Sequence, residues 1–365
     1  MNRISLPLYA AILGDCQGLA KLGDKSWDAL AEQCRQEQMD GLLYRRCVAT
    51  ETSIPDVVLP GLQESYRFTA AHNFFALQEF GAVIEAMSEK WLEVLLLPGA
   101  ALLPYYPDPG CRPMDDIDIL VRPGEFGAVK AFLHTSGFLN PARYEDLFVR
   151  GDLTLDLHED LLNCSRISAR QYAGWMDLGA VWRDSRPVVI EGVSLSAMCR
   201  EDMALYTTVH ALRHGYSRFT WFLDLHFLLR EDICWDSLLA KAKRYNLQRP
   251  MLYSMDFLSQ WLHIDLPSAT IAWRSSFKLS SAERYIMQKA FNGHCKGEWG
   301  DLLWSFNVAG LRRKFGFLVE TLFPGPTVLL QVFPYLPKPL FPLAYGLRLG
   351  QLLFRGLRQL FRCFR

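Results

Sequence analysis

The sequence predicts an α+β fold in which a small mixed sheet is flanked by N-terminal helices and a larger C-terminal helical region. Residues 61–90 carry apolar side chains at helical spacing. Downstream, apolar runs typical of short, buried strands lie at 92–97, 115–121 and 153–161. A helical pattern over 125–136 separates the second run from the third, and from about residue 196 onward the pattern is helical again. Strand, helix and strand in this order indicate a compact sheet domain.

The domain organisation follows from changes in this pattern. The chain has 365 residues, of which 50% are hydrophobic and 21% are charged, so it can bury a sizeable core. We predict an N-terminal helical segment at 1–60 and an α/β core at 61–195. A helical domain follows at 196–320, and a Pro-rich segment with a basic amphipathic helix ends the chain at 321–365.

Charge and cysteine usage narrow the functional class and the compartment. Lysine plus arginine and aspartate plus glutamate both number 39, so no global basic field favours nucleic acid, and no specific nucleic-acid partner is expected. The nine cysteines form no CxxC motif, which suits reduced thiols in a cytosol. No convincing signal peptide and no uncharged apolar run of ~18–20 residues is present. We therefore expect a cytoplasmic protein.

Two aspartates interrupt the otherwise apolar run at 115–121. Because side chains alternate between the faces of a strand, Asp116 and Asp118 should share one face. Neighbouring carboxylates repel each other unless a cation neutralises them, and Mg²⁺ prefers oxygen ligands. Asp156, on a later predicted strand, could complete the set that a two-metal phosphoryl-transfer site requires. The sequence thus predicts a site for Mg²⁺ or Mn²⁺, with an exposed acidic strand edge as the alternative.

These residues belong to a longer pattern that starts at Leu95. A strand, a Gly-containing turn and an Asp-x-Asp strand resemble the nucleotidyltransferase superfamily, which has a DNA polymerase beta-like fold. The order Gly-Ala, Tyr-Pro, Arg and Asp-x-Asp is similar to that of a bacterial family of uncharacterised nucleotidyltransferases. Later motifs extend the resemblance over about 60–350, and they comprise Asp156, Leu157, His158, His210, His214, Gly215, Trp221 and Asp224.

The resemblance implies that an NTP binds at the turn before the Asp-x-Asp strand. The backbone around Gly99 and Ala100 would cradle the phosphates, since glycine permits close approach and N–H groups at a helix start attract anions. The turn departs from the usual Gly-Gly or Gly-Ser, and Pro98 stands where relatives often have Lys. Arg112 could supply the missing positive charge, or it could be a solvated loop arginine.

Several other residues are candidates for the pocket. His158 follows Asp156 on the same strand face and could orient a metal ligand or act as a base, or be a structural histidine bonded to a backbone carbonyl. A second group either forms a substrate-pocket wall or packs in the core, and it comprises His210, His214, Trp221 and Asp224.

The end of the chain has its own pattern. On a helix, residues 343–365 place five arginines on one side and leucines and phenylalanines on the other. Such a helix fits an anionic membrane surface or a partner groove. The alternative, which we favour slightly, is a helix docked on its own domain with a solvated arginine face.

Two functions are compatible with the sequence. The first is a metal-dependent nucleotidyltransferase that uses Asp116, Asp118 and Asp156 to move a nucleoside monophosphate from an NTP to an unidentified hydroxyl or amine acceptor. The second is a catalytically degenerate nucleotide- or partner-binding protein of the same fold, peripheral at the inner membrane through its tail. Loss of the usual turn side chains favours the second function, and retention of all three carboxylates favours the first.

Overall fold

The architecture is α+β, as predicted. A computed structural model describes residues 13, 16–141, 144–165, 167–230, 233–261, 264, 266–291, 298–326, 328–329, 333, 337, 340, 342–351 and 354. Within these ranges a six-stranded mixed sheet lies between an N-terminal group of helices and a longer C-terminal helical region.

In the described part of the chain, a short 3₁₀-helix (Cys16–Lys21) and three α-helices precede the sheet. The α-helices are α1 (Asp24–Gln36), α2 (Asp40–Ala49) and α3 (Leu59–Ser88). Helix α3 has a proline in its first turn, where the missing N–H costs no helical hydrogen bond. One stripe of α3 buries Leu77, Phe80, Val83 and Met87 at helical spacing, so this face packs on the core.

The sheet has the strand order β3-β4-β2-β1-β6-β5. Its strands are β1 (Val94–Leu96), β2 (Ile117–Val121), β3 (Leu147–Arg150), β4 (Leu153–His158), β5 (Arg186–Ile190) and β6 (Val193–Ala197). The β2–β4 and β1–β6 pairs are parallel, whereas β1–β2, β3–β4 and β5–β6 are antiparallel. Helix α4 (Phe126–Thr135) connects β2 to β3, and α5 (Leu178–Arg183) precedes β5.

The sheet extends beyond the three strands that the sequence predicts. β3 and β4 form one antiparallel pair, and β5 and β6 form a hairpin around Glu191 and Gly192, whose φ angles are both positive. The predicted strand at 153–161 ends at His158. Since β3 and β5 are the edge strands, their side chains are less buried than those of β2, and this weakens their hydrophobic signal.

The remaining described chain is mainly helical. Its helices are α6 (Arg200–Arg213), α7 (Thr220–Leu229), α8 (Trp235–Arg244), α9 (Gln248–Trp261), α10 (Ser268–Ser275), α11 (Ser281–Phe291), α12 (Glu298–Ser305) and α13 (Leu311–Leu322). Residues 342–351 are also helical, whereas 352–353 and 355–365 of the predicted amphipathic helix lie outside the described residues. In the described part of the chain, no helix is both long enough and apolar enough to cross a membrane.

Candidate functional site

A pocket of about 500 Å³ opens between the sheet and the first two helices that follow it. Its walls come from the β1–β2 loop, strands β2 and β4, the end of α6 and the start of α7. Ten of the eleven residues selected from the sequence line this pocket: Gly99, Arg112, Asp116, Asp118, Asp156, His158, His210, His214, Trp221 and Asp224. The eleventh, Ala100, is fully buried beside it.

The parallel pairing of β2 and β4 brings two carboxylates together. Asp118 is the register partner of Asp156, so both side chains leave the sheet on the same face. His158 follows Asp156 by two residues and shares that face. One ligand atom from each of Asp118, Asp156 and His158 can be chosen so that all three lie within 4.8 Å of one another, a spacing that could hold a metal ion.

Asp116 precedes β2 and lines the same pocket. Burial, and then the charges of Asp118 and Asp156, together raise the pKa of its carboxyl to about 7. Such crowding of acidic groups is relieved when a cation binds between them. The oxygen-rich donor set therefore fits a hard divalent cation such as Mg²⁺ or Mn²⁺.

His158 is held by carboxylates. Its Nε2 lies 2.8 Å from Oδ1 of Asp118 and 3.6 Å from Oδ2 of Asp156. Burial lowers the pKa of the imidazole, but the hydrogen bond to Asp118 and the two negative charges outweigh that effect, and the pKa is raised. A protonated His158 donates to Asp118 and offsets part of the negative charge. The structure thus places His158 where it can orient a ligand carboxylate.

The glycine turn approaches these carboxylates closely. Gly99 has φ +146° and ψ −99°, a conformation that favours glycine, and a Cβ added there would lie 3.7 Å from Oδ2 of Asp118. Ala100 begins a short 3₁₀-helix, Ala100–Tyr105, and its side chain is buried. The backbone at Gly99 is therefore accessible from the pocket beside Asp118, whereas the Ala100 side chain is not.

Arg112 is buried and paired, which excludes the solvated loop arginine. Its Nε and Nη2 donate to the two carboxylate oxygens of Asp224 at 2.7 and 2.9 Å, and the hydroxyl of Tyr106 donates to the same carboxylate at 2.7 Å. Burial lowers the pKa of the guanidinium, but Asp224 more than compensates, so the pKa is raised. Arg112 and Asp224 thus connect the β1–β2 loop to α7 at the base of the pocket.

Three rings form one wall of the pocket. The ring centroids of His210 and His214 are 4.7 Å apart, and both lie close to Trp221, at 5.2 and 5.3 Å. Burial is the main cause that lowers the pKa of both histidines, to about 4 for His214. The imidazoles are therefore neutral at pH 7, and this wall is largely aromatic, with the ring of Trp221 set nearly edge-on to that of His210.

Sequence reasoning did not select several other residues of this pocket, among them Tyr206 and Arg213. Both are on α6, and Arg213 follows His210 by three residues, so it lies on the same side of the helix as the histidines. This spacing is the sequence signal that places Arg213 beside the histidines. The signal is weak, because an arginine near the end of a helix is commonly a solvated residue.

Comparisons with known proteins identify the family. Among solved structures, the chain is similar to an antigenic nucleotidyltransferase-like protein from Paracoccidioides brasiliensis, at 13% identity and a TM-score of 0.36, over 54% of this chain and 95% of that chain. No curated protein matches the sequence. The profile of the family described as uncharacterised nucleotidyltransferase matches residues 23–263, which is more than half of the chain. The chain therefore belongs to the uncharacterised nucleotidyltransferase family.

Proposed function

We propose that the protein is a metal-dependent nucleotidyltransferase that moves a nucleoside monophosphate from an NTP to a hydroxyl or amine acceptor. One observation carries the proposal: Asp118 and Asp156 are register partners on parallel strands, beside Asp116, at the wall of a pocket large enough for a nucleotide.

The three carboxylates would hold the divalent cation. When bound, Mg²⁺ or Mn²⁺ would neutralise phosphate charge and polarise the phosphoryl group for attack. Asp118 and Asp156 would supply oxygens from the sheet, and Asp116 would add a third carboxylate, whose pKa is raised by burial and by the charges of the other two. His158 keeps Asp118 oriented through its hydrogen bond.

The other pocket residues would bind and orient the nucleotide. The backbone at Gly99 is free of a side chain and faces Asp118, so a phosphate can approach it closely. The ring wall of His210, His214 and Trp221 offers aromatic rings against which a base can pack. The acceptor heteroatom would then attack the α-phosphorus and displace pyrophosphate. Most of the rate enhancement would come from holding the acceptor and the NTP in the orientation that the reaction requires.

A second candidate function is nucleotide binding without turnover. The turn has Gly99-Ala100 preceded by Pro98, so neither a hydroxyl nor an ammonium group extends from it toward the phosphates. This favours a degenerate binding protein over an enzyme, whereas the intact carboxylate set favours the enzyme.

Pyrophosphate release decides between the two functions. We expect each tested NTP that binds in the presence of Mg²⁺ to release pyrophosphate when a mixture of amines, sugars and polypeptides is supplied as acceptor, and we expect EDTA to stop the release. Mg²⁺-dependent NTP binding without pyrophosphate release under all these conditions would support the degenerate protein. Absence of NTP binding to the full-length chain would contradict both functions.

We also propose that the C-terminal helical surface contacts an anionic membrane. Leu343, Leu347 and Phe354 are 61%, 55% and 66% exposed, and they recur at helical spacing. The helix at 342–351 is attached to the end of α13, since Tyr345 donates to the carbonyl of Pro324 and Arg348 to that of Thr321. The helix is therefore docked on the domain through one side, while its apolar residues Leu343 and Leu347 remain exposed on another side and could contact a membrane.

A further inference from the structure

Arg213, the last residue of α6, lines the carboxylate pocket without a partner of its own. Its Nε is buried and donates no hydrogen bond in the described part of the chain, and no ion pair involves its guanidinium there. This contrasts with Arg112, which lines the same pocket but gives two hydrogen bonds to Asp224. Of these two pocket arginines, Arg213 is the one whose charge remains available.

The two carboxylates whose charges act on Arg213 are already engaged by other groups. Asp301 and Asp160 both act on its charge from a distance. Asp301 accepts a hydrogen bond from Arg170 at 3.2 Å. Asp160 accepts three backbone N–H bonds at the start of the next loop, from residues 162, 164 and 165. Neither carboxylate is therefore placed to neutralise Arg213.

The surroundings of Arg213 disfavour its positive charge. Burial lowers the pKa of Arg213 to about 10, and the neighbouring charge of Arg170 lowers it in the same direction. The guanidinium is still protonated at pH 7. A half-buried cation without an ion-pair partner is unfavourable, so this part of the pocket is suited to an anion.

We propose that Arg213 binds the β- and γ-phosphates of the NTP. The inference rests on the proposed function and specifies where the phosphate chain lies. The carboxylates would hold the cation at one wall of the pocket, and Arg213 provides a positive group on another wall, from α6. It would supply from α6 the positive charge that the turn lacks at Pro98. A guanidinium suits this role because its fork of N–H groups matches two phosphate oxygens.

The same contact would assist the transfer step. The acceptor heteroatom forms a bond to the α-phosphorus, and the bond from that phosphorus to the bridging oxygen breaks. Pyrophosphate leaves with the electron pair, and the acceptor's proton is released to the buffer. Arg213 keeps its own proton and offsets the negative charge that grows on the leaving pyrophosphate.

Nucleotide titrations of the full-length protein test this assignment. In Mg²⁺, calorimetry compares a non-hydrolysable NTP with the corresponding NMP for wild type, Arg213→Gln, Arg213→Lys and Arg183→Gln, an exposed arginine on α5 outside the pocket. We expect Arg213→Gln to weaken NTP binding by about 10- to 100-fold, the effect of losing one or two charged hydrogen bonds, and to leave NMP binding unchanged. Arg213→Lys should recover part of the loss, and Arg183→Gln should match wild type.

Other outcomes would overturn the inference. An unchanged NTP-to-NMP preference in Arg213→Gln contradicts it, and so does an equal loss for both nucleotides, which would indicate a structural role. If Arg213→Gln fails to fold, Arg213→Met, of similar length, replaces it in the same comparison.

A titration with tripolyphosphate in EDTA separates this inference from the proposed function. The protein could bind tripolyphosphate through Arg213 but bind no NTP. That result would contradict the proposed nucleotidyltransferase function and would leave Arg213 as part of an anion-binding site. If wild type binds neither ligand, both proposals are wrong.

Discussion

Asp118 and Asp156 lie directly opposite each other on the parallel strands β2 and β4. Their carboxylates share one face of the sheet, and His158 donates into the same group from two residues beyond Asp156. Two neighbouring negative charges at a pocket wall are unfavourable for folding alone, so the arrangement points to a bound cation.

Asp118→Asn should abolish Mg²⁺-dependent NTP binding and leave the fold intact. The substitution removes one ligand charge, but the amide oxygen can still accept the hydrogen bond from His158. Loss of one of several repelling charges should leave the free energy of unfolding unchanged within about 1 kcal/mol. Calorimetric titration with Mg²⁺-NTP and thermal unfolding followed by circular dichroism measure the two effects.

Asp152→Asn is the matched control, because Asp152 is exposed in the turn between β3 and β4. It should bind Mg²⁺-NTP like wild type. If Asp118→Asn also binds Mg²⁺-NTP like wild type, the carboxylate site is wrong.

The Arg112–Asp224 pair should matter for stability. Asp224→Asn leaves a buried guanidinium without its counter-ion, so we expect a loss of about 3–5 kcal/mol in the free energy of unfolding. The double variant Arg112→Met with Asp224→Leu should lose less, because neither charge then remains buried alone. Urea denaturation of the two variants and wild type measures both values.

An exposed ion pair provides the comparison. Arg218 lies 3.2 Å from Asp115, and both side chains are more than half exposed. Arg218→Ala should therefore change the free energy of unfolding by less than about 1 kcal/mol. Equal losses in Arg218→Ala and Asp224→Asn would contradict the structural role assigned to the buried pair.

His226 should make the fold sensitive to acid. Burial, then the charges of Arg230 and Arg46, lower the pKa of its imidazole to about 4, and its Nδ1 is buried without a hydrogen-bond partner in the described chain. The unfolded chain binds this proton near pH 6.5, whereas the folded chain does not until about pH 4. Stability attributable to His226 is therefore present above pH 6.5 and is lost as the pH falls toward 4.

His226→Gln removes that titration. Between pH 7 and pH 4, the free energy of unfolding of the variant should fall by up to about 3 kcal/mol less than that of wild type, as a shift of this size implies. Urea denaturation across this pH range measures the difference. Parallel pH curves for the two proteins would show that His226 is not buried as a neutral imidazole.

The carboxylate site could be predicted because its signal is local. Asp116 and Asp118 interrupt a buried apolar strand, and Asp156 alternates with buried leucines in β4. The edge hairpin of β5 and β6 was missed, since its outward residues are exposed and its pattern is short. Its Glu191-Gly192 turn, with positive φ at both positions, was the signal that could have revealed it.

The partners of the arginines could not be predicted from the sequence. Arg112 and Asp224 are separated by 112 positions, and a loop arginine looks the same in sequence whether it is solvated or buried. For Arg213, the sequence does not show that an ion-pair partner is lacking. Only the folded chain shows that Asp301 and Asp160 are engaged by other groups. Ion pairs between residues far apart in the sequence determine which arginine is left to bind a ligand, and the local sequence pattern does not indicate these pairs.

The C-terminal surface carries apolar and basic residues together. On α13, Leu311 and Phe315 are 87% and 70% exposed, and basic residues 312–314 lie between them. Glu320 is the last acidic residue of the chain, and it accepts hydrogen bonds from the backbone of Ser168 and Ala169. Negative charge that could repel an anionic surface is therefore scarce here.

Full-length protein should float with anionic vesicles at low salt, and a shortened chain ending at Leu340 should not. Each arginine near an anionic bilayer contributes about 1 kcal/mol, so the five arginines of 343–365 could contribute roughly 5 kcal/mol before losses. The screening length of electrostatic interactions falls to ~3 Å at 1 M salt, so flotation should decrease there.

The control variant Leu343→Gln with Leu347→Gln keeps all five arginines, and we expect it to float less than wild type because its apolar face is weaker. If all three proteins behave alike, the tail is a helix docked on its own domain.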